Sequence, residues 1–400
     1  MRVVVRFHLS TNRPTKEGNN MTVPFLDLKA QYEQIEKDIR REIDEVLKTT
    51  GFVLGPKVEA FENSMAELCG TKHCVAVNSG TAAVHSILWA SDMPPGSGVI
   101  VPPNTFTATV EPVILAGHVP VFVDVEEEYY TLSPEKVRDY LESSGSPGNV
   151  VDPKSGATVR AILSVDLYGQ PANNHALEEI ADEYGLILLE DACQAHGAEL
   201  SGRRAGSFGQ AAAFSFYPGK NLGAFGEGGA VTTDSDQMAE KVRMIRDHGS
   251  REKYYYERIG HNYRMAAFQG AVLGVKIKHI KSWNYRRAEA AARYDQLLRD
   301  LPVKTPSVRE GALHVFHLYT VHIPERDGLR EYLSERGIAS GLHYPIPLHL
   351  QKAYRHLGYE EGDFPVTEYN SVSNITLPIF PEITPEQQQE VADGIRGYFG

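Results

Sequence analysis

Apolar positions along the chain recur at two periods, and the change of period divides it. Between residues 24 and 50, Leu28, Tyr32, Ile35, Ile39, Ile43, Val46 and Leu47 stand near helical spacing, and Gly51 ends that helix. After a turn at Gly55-Pro56, a second amphipathic helix is predicted over Val58–Leu68. Short apolar strands then alternate with helices. The strands are expected at Cys74–Val77, Val99–Val101, Val119–Asp124, Val159–Val165, Leu186–Leu189 and Ala212–Phe216. The helices between them are expected at Thr81–Trp89, Thr107–Ala116, Pro134–Glu142 and His175–Tyr184. Such alternation predicts an α/β protein with a parallel sheet covered on both faces. Ligands of these sheets bind beyond the carboxyl ends of the strands.

Further on, Ala230–Thr233 reads as a short strand and Gln237–Asp247 as a helix. One long helix is predicted over Ala266–Leu298, with Trp283 on its apolar side. A smaller α/β unit follows: a strand at Phe316–Ile323, a helix at Gly328–Glu335, a strand at Ile338–Tyr344 and a last helix at Pro385–Tyr398. The 400 residues exceed one small core, so two domains are expected, residues 21–265 and 266–400, after an arm over 1–20, polar from residue 9, that reads as disordered.

Composition removes several functions. A net charge of −12 opposes a nucleic-acid surface, which needs a basic stripe. Cys69, Cys74 and Cys193 are too few and too scattered for a disulfide framework or a zinc site. No apolar run reaches the length of a membrane span, and the three-valine patch near the start is too short for a signal peptide. A cytoplasmic protein without metal, membrane or nucleic-acid partner is the expectation.

The chemistry gathers after the strands. The stretch Phe214–Val231, FSFYPGKNLGAFGEGGAV, runs from an apolar strand through Pro218-Gly219 to Lys220 and a glycine-rich loop. A lysine held there beside a desolvated site loses stability as ammonium, and its free amine can attack a carbonyl. Asn78-Ser79-Gly80-Thr81 opens a helix, where free N–H groups and the helix dipole attract an anion. Asp191 ends an apolar strand and can hold a pyridinium N–H. Phe106 can stack on a flat ring, and Ser215 can add a phosphate contact. Each residue alone has a plainer account: a surface lysine in a turn, a helix cap at Ser79, Thr81 or Asp191, a core phenylalanine, a small strand serine. Together they form the set that pyridoxal phosphate requires. Competing cofactor sites lack their signatures: no G-x-G-x-x-G follows a strand, no Walker glycine precedes Gly219-Lys220, and there is no H-E-x-x-H or paired C-x-x-C.

These residues stand in ordered markers: VNSGTAAV (77–84), NTFTAT (104–109), DLYGQPA (166–172), LEDACQAHGA (189–198), the Lys220 stretch, GHNYRM (260–265), HYPIPLH (343–349) and LPIFP (377–381). From PFLDLKAQY at residue 24 onward, the sequence resembles the DegT/DnrJ/EryC1/StrS family of sugar aminotransferases. The resemblance implies fold type I of the pyridoxal-phosphate enzymes, with a large domain built on a mostly parallel seven-stranded sheet and a smaller C-terminal α/β domain. It implies that Lys220 bonds the cofactor aldehyde and shuttles the proton, that Asp191 pairs with the ring nitrogen, and that Gln194 approaches the phenolic oxygen. Phe106 stacks on the ring, and Gly80, Thr81 and Ser215 hold the phosphate. Asn262 reaches the phosphate of a neighbouring subunit, implying a homodimer, and His343 and Tyr344 lie near the sugar. Cys193 and Gly219 depart from commoner spellings, alanine and threonine or serine, but both are small. Related dehydratases carry histidine where Lys220 stands, so lysine favours transamination. The implied reaction moves an amino group from L-glutamate, through pyridoxamine phosphate, to a keto group of a dTDP- or UDP-linked hexose, at C3 by the spelling of these markers. A 4-keto sugar and a non-catalytic regulator of the same fold are the alternatives.

Overall fold

The computed structural model describes residues 22–400; the arm expected over 1–20 lies outside the described residues. Helices α1 (Leu28–Thr49) and α2 (Pro56–Cys69) lead into β1 (His73–Val77), α3 (Gly80–Ala90), β2 (Gly98–Val101), α4 (Thr107–Leu115), β3 (Val119–Phe122), α5 (Pro134–Ser144), β4 (Val159–Val165), α6 (Asn174–Tyr184), β5 (Ile187–Asp191), β6 (Ala211–Ser215) and β7 (Gly229–Thr233). These are the expected elements, with ends moved by about one or two residues, the ordinary latitude of a helix or strand end.

The seven strands form one sheet in the order β1-β7-β6-β5-β4-β2-β3. Strand β7 runs antiparallel to both neighbours, and the remaining pairs are parallel. Side chains of one strand point alternately to opposite faces, which explains the unbroken apolar runs. Val99 and Val101 enter one core and Ile100 the other. Ala161 and Leu163 share the first core and Ile162 enters the second; Val159 joins the second because the pairing with β2 shifts by one residue between Val159 and Ala161.

Helix α7 (Asp236–Arg246) follows, then a short hairpin in which Ser250–Glu252 pairs with Tyr255–Tyr256. The long helix expected over Ala266–Leu298 is divided: α8 (Ala267–Lys276) and α9 (Ile280–Leu298) meet at a tight turn, Ile277–His279. Val272 and Val275 pack on Ile35 and Ile39 of α1, whereas Ala290, Ala291 and Tyr294 enter the C-terminal core. The turn lets the two apolar faces meet different partners.

The C-terminal part contains β8 (Tyr319–His322), α10 (Arg326–Glu335), α11 (Pro365–Ser373), β9 (Asn374–Leu377) and α12 (Pro385–Phe399). The strand expected over Phe316–Ile323 is shorter because Phe316 takes φ 43°, outside the extended region. The strand expected at Ile338–Tyr344 does not form. Ile338 and Gly341 make single bridges to Val23 and Thr376, and the partner of β8 is β9, antiparallel. We retain the division into 21–265 and 266–400 as a proposal.

Candidate active site

A cavity of about 710 Å³ opens beyond the carboxyl ends of the central strands. Nine of the ten residues singled out in the sequence line it: Gly80, Thr81, Phe106, Asp191, Gln194, Ser215, Lys220, His343 and Tyr344. The tenth, Asn262, lies outside this cavity, exposed, where its carbonyl accepts a bond from Asn78 Nδ2.

The start of α3 forms one wall. Ser79 caps the helix, accepting from Ala82 N at 3.1 Å, which leaves the N–H groups of Gly80 and Thr81 without a partner among the described residues. Gly80 sits directly on the end of β6: a Cβ there would lie 2.5 Å from Ser215 Cβ. Only glycine allows the helix start and the serine hydroxyl to share one cradle.

Asp191 ends β5, buried at 5% exposure, and its oxygens are fixed from two sides. Oδ2 accepts from Thr109 Oγ1 at 2.6 Å, and Oδ1 from Cys193 N at 3.1 Å. Lys220 is half-buried on the cavity wall. Burial there lowers its pKa from the ordinary lysine range, and the neighbouring Cys193 and Asp191 oppose the shift. Phe106 caps α4 with its ring exposed, 5.6 Å from the Tyr344 ring. Gln194 is oriented at both ends: Oε1 accepts from Tyr168 N at 2.8 Å, and Nε2 donates to Tyr344 O–H at 3.3 Å.

His343 and Tyr344 come from a loop of the C-terminal part. His343 Nδ1 is 2.8 Å from Thr376 Oγ1, and Tyr168 O–H donates to the His343 carbonyl. Burial, with Lys220 nearby, pushes the His343 pKa down to about 4. His196, which meets Ser215 O at 2.9 Å behind the cavity, is pushed down to about 3 by burial, with a smaller effect from Lys220. Both imidazoles are neutral at pH 7.

Three further positions bear on the site, of which the sequence points only to Tyr168, as a residue that follows a strand in DLYGQPA. Thr109 holds Asp191, Tyr168 orients Gln194, and His317 lines the cavity. Thr109 was within reach, since it stands one helical turn beyond Phe106 and so on the same side of α4. His317 and the backbone N–H of Tyr168 carry no local signal.

The donor set fits pyridoxal phosphate: free helix N–H groups and a hydroxyl for the phosphate, an exposed aromatic face, a fixed carboxylate and a desolvated amine, all on one cavity. A fold type I sheet with this site defines a pyridoxal-phosphate-dependent aminotransferase. The chain belongs to the DegT/DnrJ/EryC1/StrS aminotransferase family, whose model matches residues 33–396. It is 43% identical over 375 residues to a dTDP-3-amino-3,4,6-trideoxy-alpha-D-glucose transaminase of Streptomyces venezuelae, covering 94% of this chain and 95% of the relative. It is 41% identical over 382 residues to a protein of Geobacillus stearothermophilus named pleiotropic regulatory protein, covering 95% and 99%. The crystal structure of S. venezuelae DesV in complex with a ketimine intermediate superposes with a TM-score of 0.88 at 42% identity, covering 94% of this chain and 98% of DesV. Among the described residues no helix is long and apolar enough to cross a membrane.

Proposed function

We propose that this enzyme takes an amino group from L-glutamate and delivers it to the C3 keto group of a nucleotide-linked hexose, dTDP or UDP, in amino-sugar biosynthesis. The observation that carries this reading is Lys220 itself, a desolvated amine on the same cavity wall as Asp191 and the start of α3. The S. venezuelae relative, a 3-amino-sugar transaminase by name, supports C3 over C4. We further propose a cytoplasmic homodimer with shared sites.

Bound pyridoxal phosphate supplies the electron sink that lets the donor's α-proton leave. Lys220 Nζ is the amine that would hold the cofactor at its aldehyde and would carry the proton of the donor α-carbon. Its lowered pKa keeps an unprotonated fraction available. Asp191, held ready by Thr109 and Cys193 N–H, would accept the ring N–H through a charge-assisted bond. Gln194 has Oε1 occupied by Tyr168, so Nε2 is the end that donates toward the phenolic oxygen. Gly80 N–H, Thr81 and Ser215 would hold the phosphate, and Phe106 would cover the ring. Asn262 serves the neighbouring subunit's phosphate. His343 and Tyr344, neutral and anchored, orient the sugar hydroxyls.

The test is an absorbance spectrum of the purified protein with added pyridoxal phosphate, before and after L-glutamate, beside Lys220→Ala. The wild type shows a visible band that glutamate bleaches while 2-oxoglutarate accumulates, and the variant does neither, losing turnover by at least about 10³-fold. Product analysis by NMR with 3-keto and 4-keto nucleotide hexoses then fixes the position. A wild type that binds no cofactor overturns the reading and favours a regulator, the role in the name of the Geobacillus relative.

A further inference from the structure

Directly behind Asp191 the structure places two carboxyl groups in contact, both fully buried. Asp166 follows β4 and Glu190 precedes Asp191 in β5, and each is 0% exposed. Strand pairing sets Ser164 opposite Glu190, so Asp166, two residues further on, falls on the same face of the sheet as Glu190, and among the described residues no cation stands between the two acids. Glu190 Oε1 accepts from Gly206 N at 2.8 Å and Oε2 from Phe208 N at 3.1 Å. Asp166 Oδ1 accepts from Ala172 N at 2.9 Å and Asn174 Nδ2 at 3.1 Å. Asp166 Oδ2 is buried without a hydrogen-bond partner, the place a carboxyl proton would fill. Neither group lies in an ion pair among the described residues. The titratable groups facing the pair are Asp191 and the Cys69 thiol of α2. The arginines of the following hairpin turn elsewhere, Arg203 to Glu178 and Arg204 to the carbonyls of Glu67 and Leu68.

We propose that Asp166 and Glu190 hold one proton between them and act as a positioning clamp for the cofactor end of the sheet. The bonds tie four segments: the end of β4, the start of α6, the end of β5, and the turn at 206–208 that leads into β6. Asp191 continues from the third and Ser215 and Lys220 from the last, so the clamp sets the spacing between the acid and the amine. The assignment rests on the reading that these residues hold the cofactor. Burial, together with the like charge of the partner and of Asp191, raises the pKa of the pair, so the proton is kept at pH 7. Loss of that proton at higher pH leaves two adjacent charges in an apolar setting, and the clamp opens.

Two measurements test the proposal separately. The first needs no cofactor: infrared difference spectra of the apoprotein, wild type against Asp166→Asn. The wild type shows the carbonyl stretch of a protonated carboxyl at pH 7, and Asp166→Asn removes it while folding normally, because its amide donates to Glu190 in place of the shared proton. The same carboxyl band in both proteins, or none in the wild type, overturns the shared proton. The second is the dissociation constant of pyridoxal phosphate from pH 6 to pH 9. Wild-type binding weakens in the alkaline range, and Asp166→Asn binds within about twofold of wild type at pH 7 without the alkaline loss. Asp166→Ala, too short to bridge, binds about tenfold more weakly. Equal affinity for Asp166→Ala and wild type overturns the positioning role. Failure of the wild type to bind pyridoxal phosphate would instead overturn the cofactor reading and leave the infrared result standing.

Discussion

Thr109 Oγ1 donates to Asp191 Oδ2 at 2.6 Å, and Thr105 Oγ1 stands 2.8 Å behind Thr109 Oγ1. A short bond to a buried carboxylate is worth about 1.5–3 kcal/mol, and it aims one lone pair while leaving the rest for the ring nitrogen. Thr109→Val, which keeps the shape, is expected to weaken pyridoxal-phosphate binding roughly tenfold or more, and Thr109→Ser to restore it. Titration of the apoenzyme with cofactor reads both variants. Equal affinity for valine and threonine would show that Asp191 needs no help from α4.

Stability should fall on the acid side through buried histidines. Burial pushes His196, His314 and His322 down to about 3. Each folded pKa lies below the unfolded value of about 6.5, so between these limits the unfolded chain binds more protons. Stability is complete above about pH 6.5 and declines as pH falls, by up to about 1.4 kcal/mol per pH unit for each histidine. Urea midpoints at pH 7, 6 and 5 check the slope. A midpoint that is constant over that range would mean that water reaches these rings.

His343 and Tyr344, proposed to meet the sugar, are both held by Asn374. Its Oδ1 accepts from His343 N at 3.0 Å, and its Nδ2 donates to Asn370 O at 2.6 Å and Tyr344 O at 3.4 Å. Asn374→Ala is expected to raise KM for the keto sugar about tenfold while leaving the glutamate half-reaction within about twofold. Stopped-flow spectra for glutamate alone, against steady-state rates with the sugar, separate the two. Equal damage to both halves would assign Asn374 to the fold alone.

Asn262 provides a test of the proposed homodimer with shared sites. It is exposed and outside the cavity of its own chain. Lys220→Ala and Asn262→Ala, each impaired as homodimers, are expected to recover activity when unfolded together and refolded as a mixture. A mixed dimer then contains one site with neither change. A mixture no more active than its parents would assign Asn262 to its own chain.

The sequence by itself determined the alternating strands and helices, and with them the crevice at the strand ends. Local pattern is enough there: an apolar run of strand length has few other places to go, and a strand end followed by Asn78-Ser79-Gly80-Thr81 or Asp191 brings its chemistry along. Only the tertiary structure decided where α8 turns into α9, because that break comes from two partners, α1 and the C-terminal core, far apart in sequence. It also decided that β8 pairs with Asn374–Leu377 rather than with Ile338–Tyr344, since a four-residue strand has too little pattern to compete on its own. The same limit hid the carboxyl pair. Asp166 and Glu190 are 24 positions apart and look like ordinary acids in the sequence. Parallel pairing of β4 and β5 buries both side by side, and only that contact obliges them to share a proton.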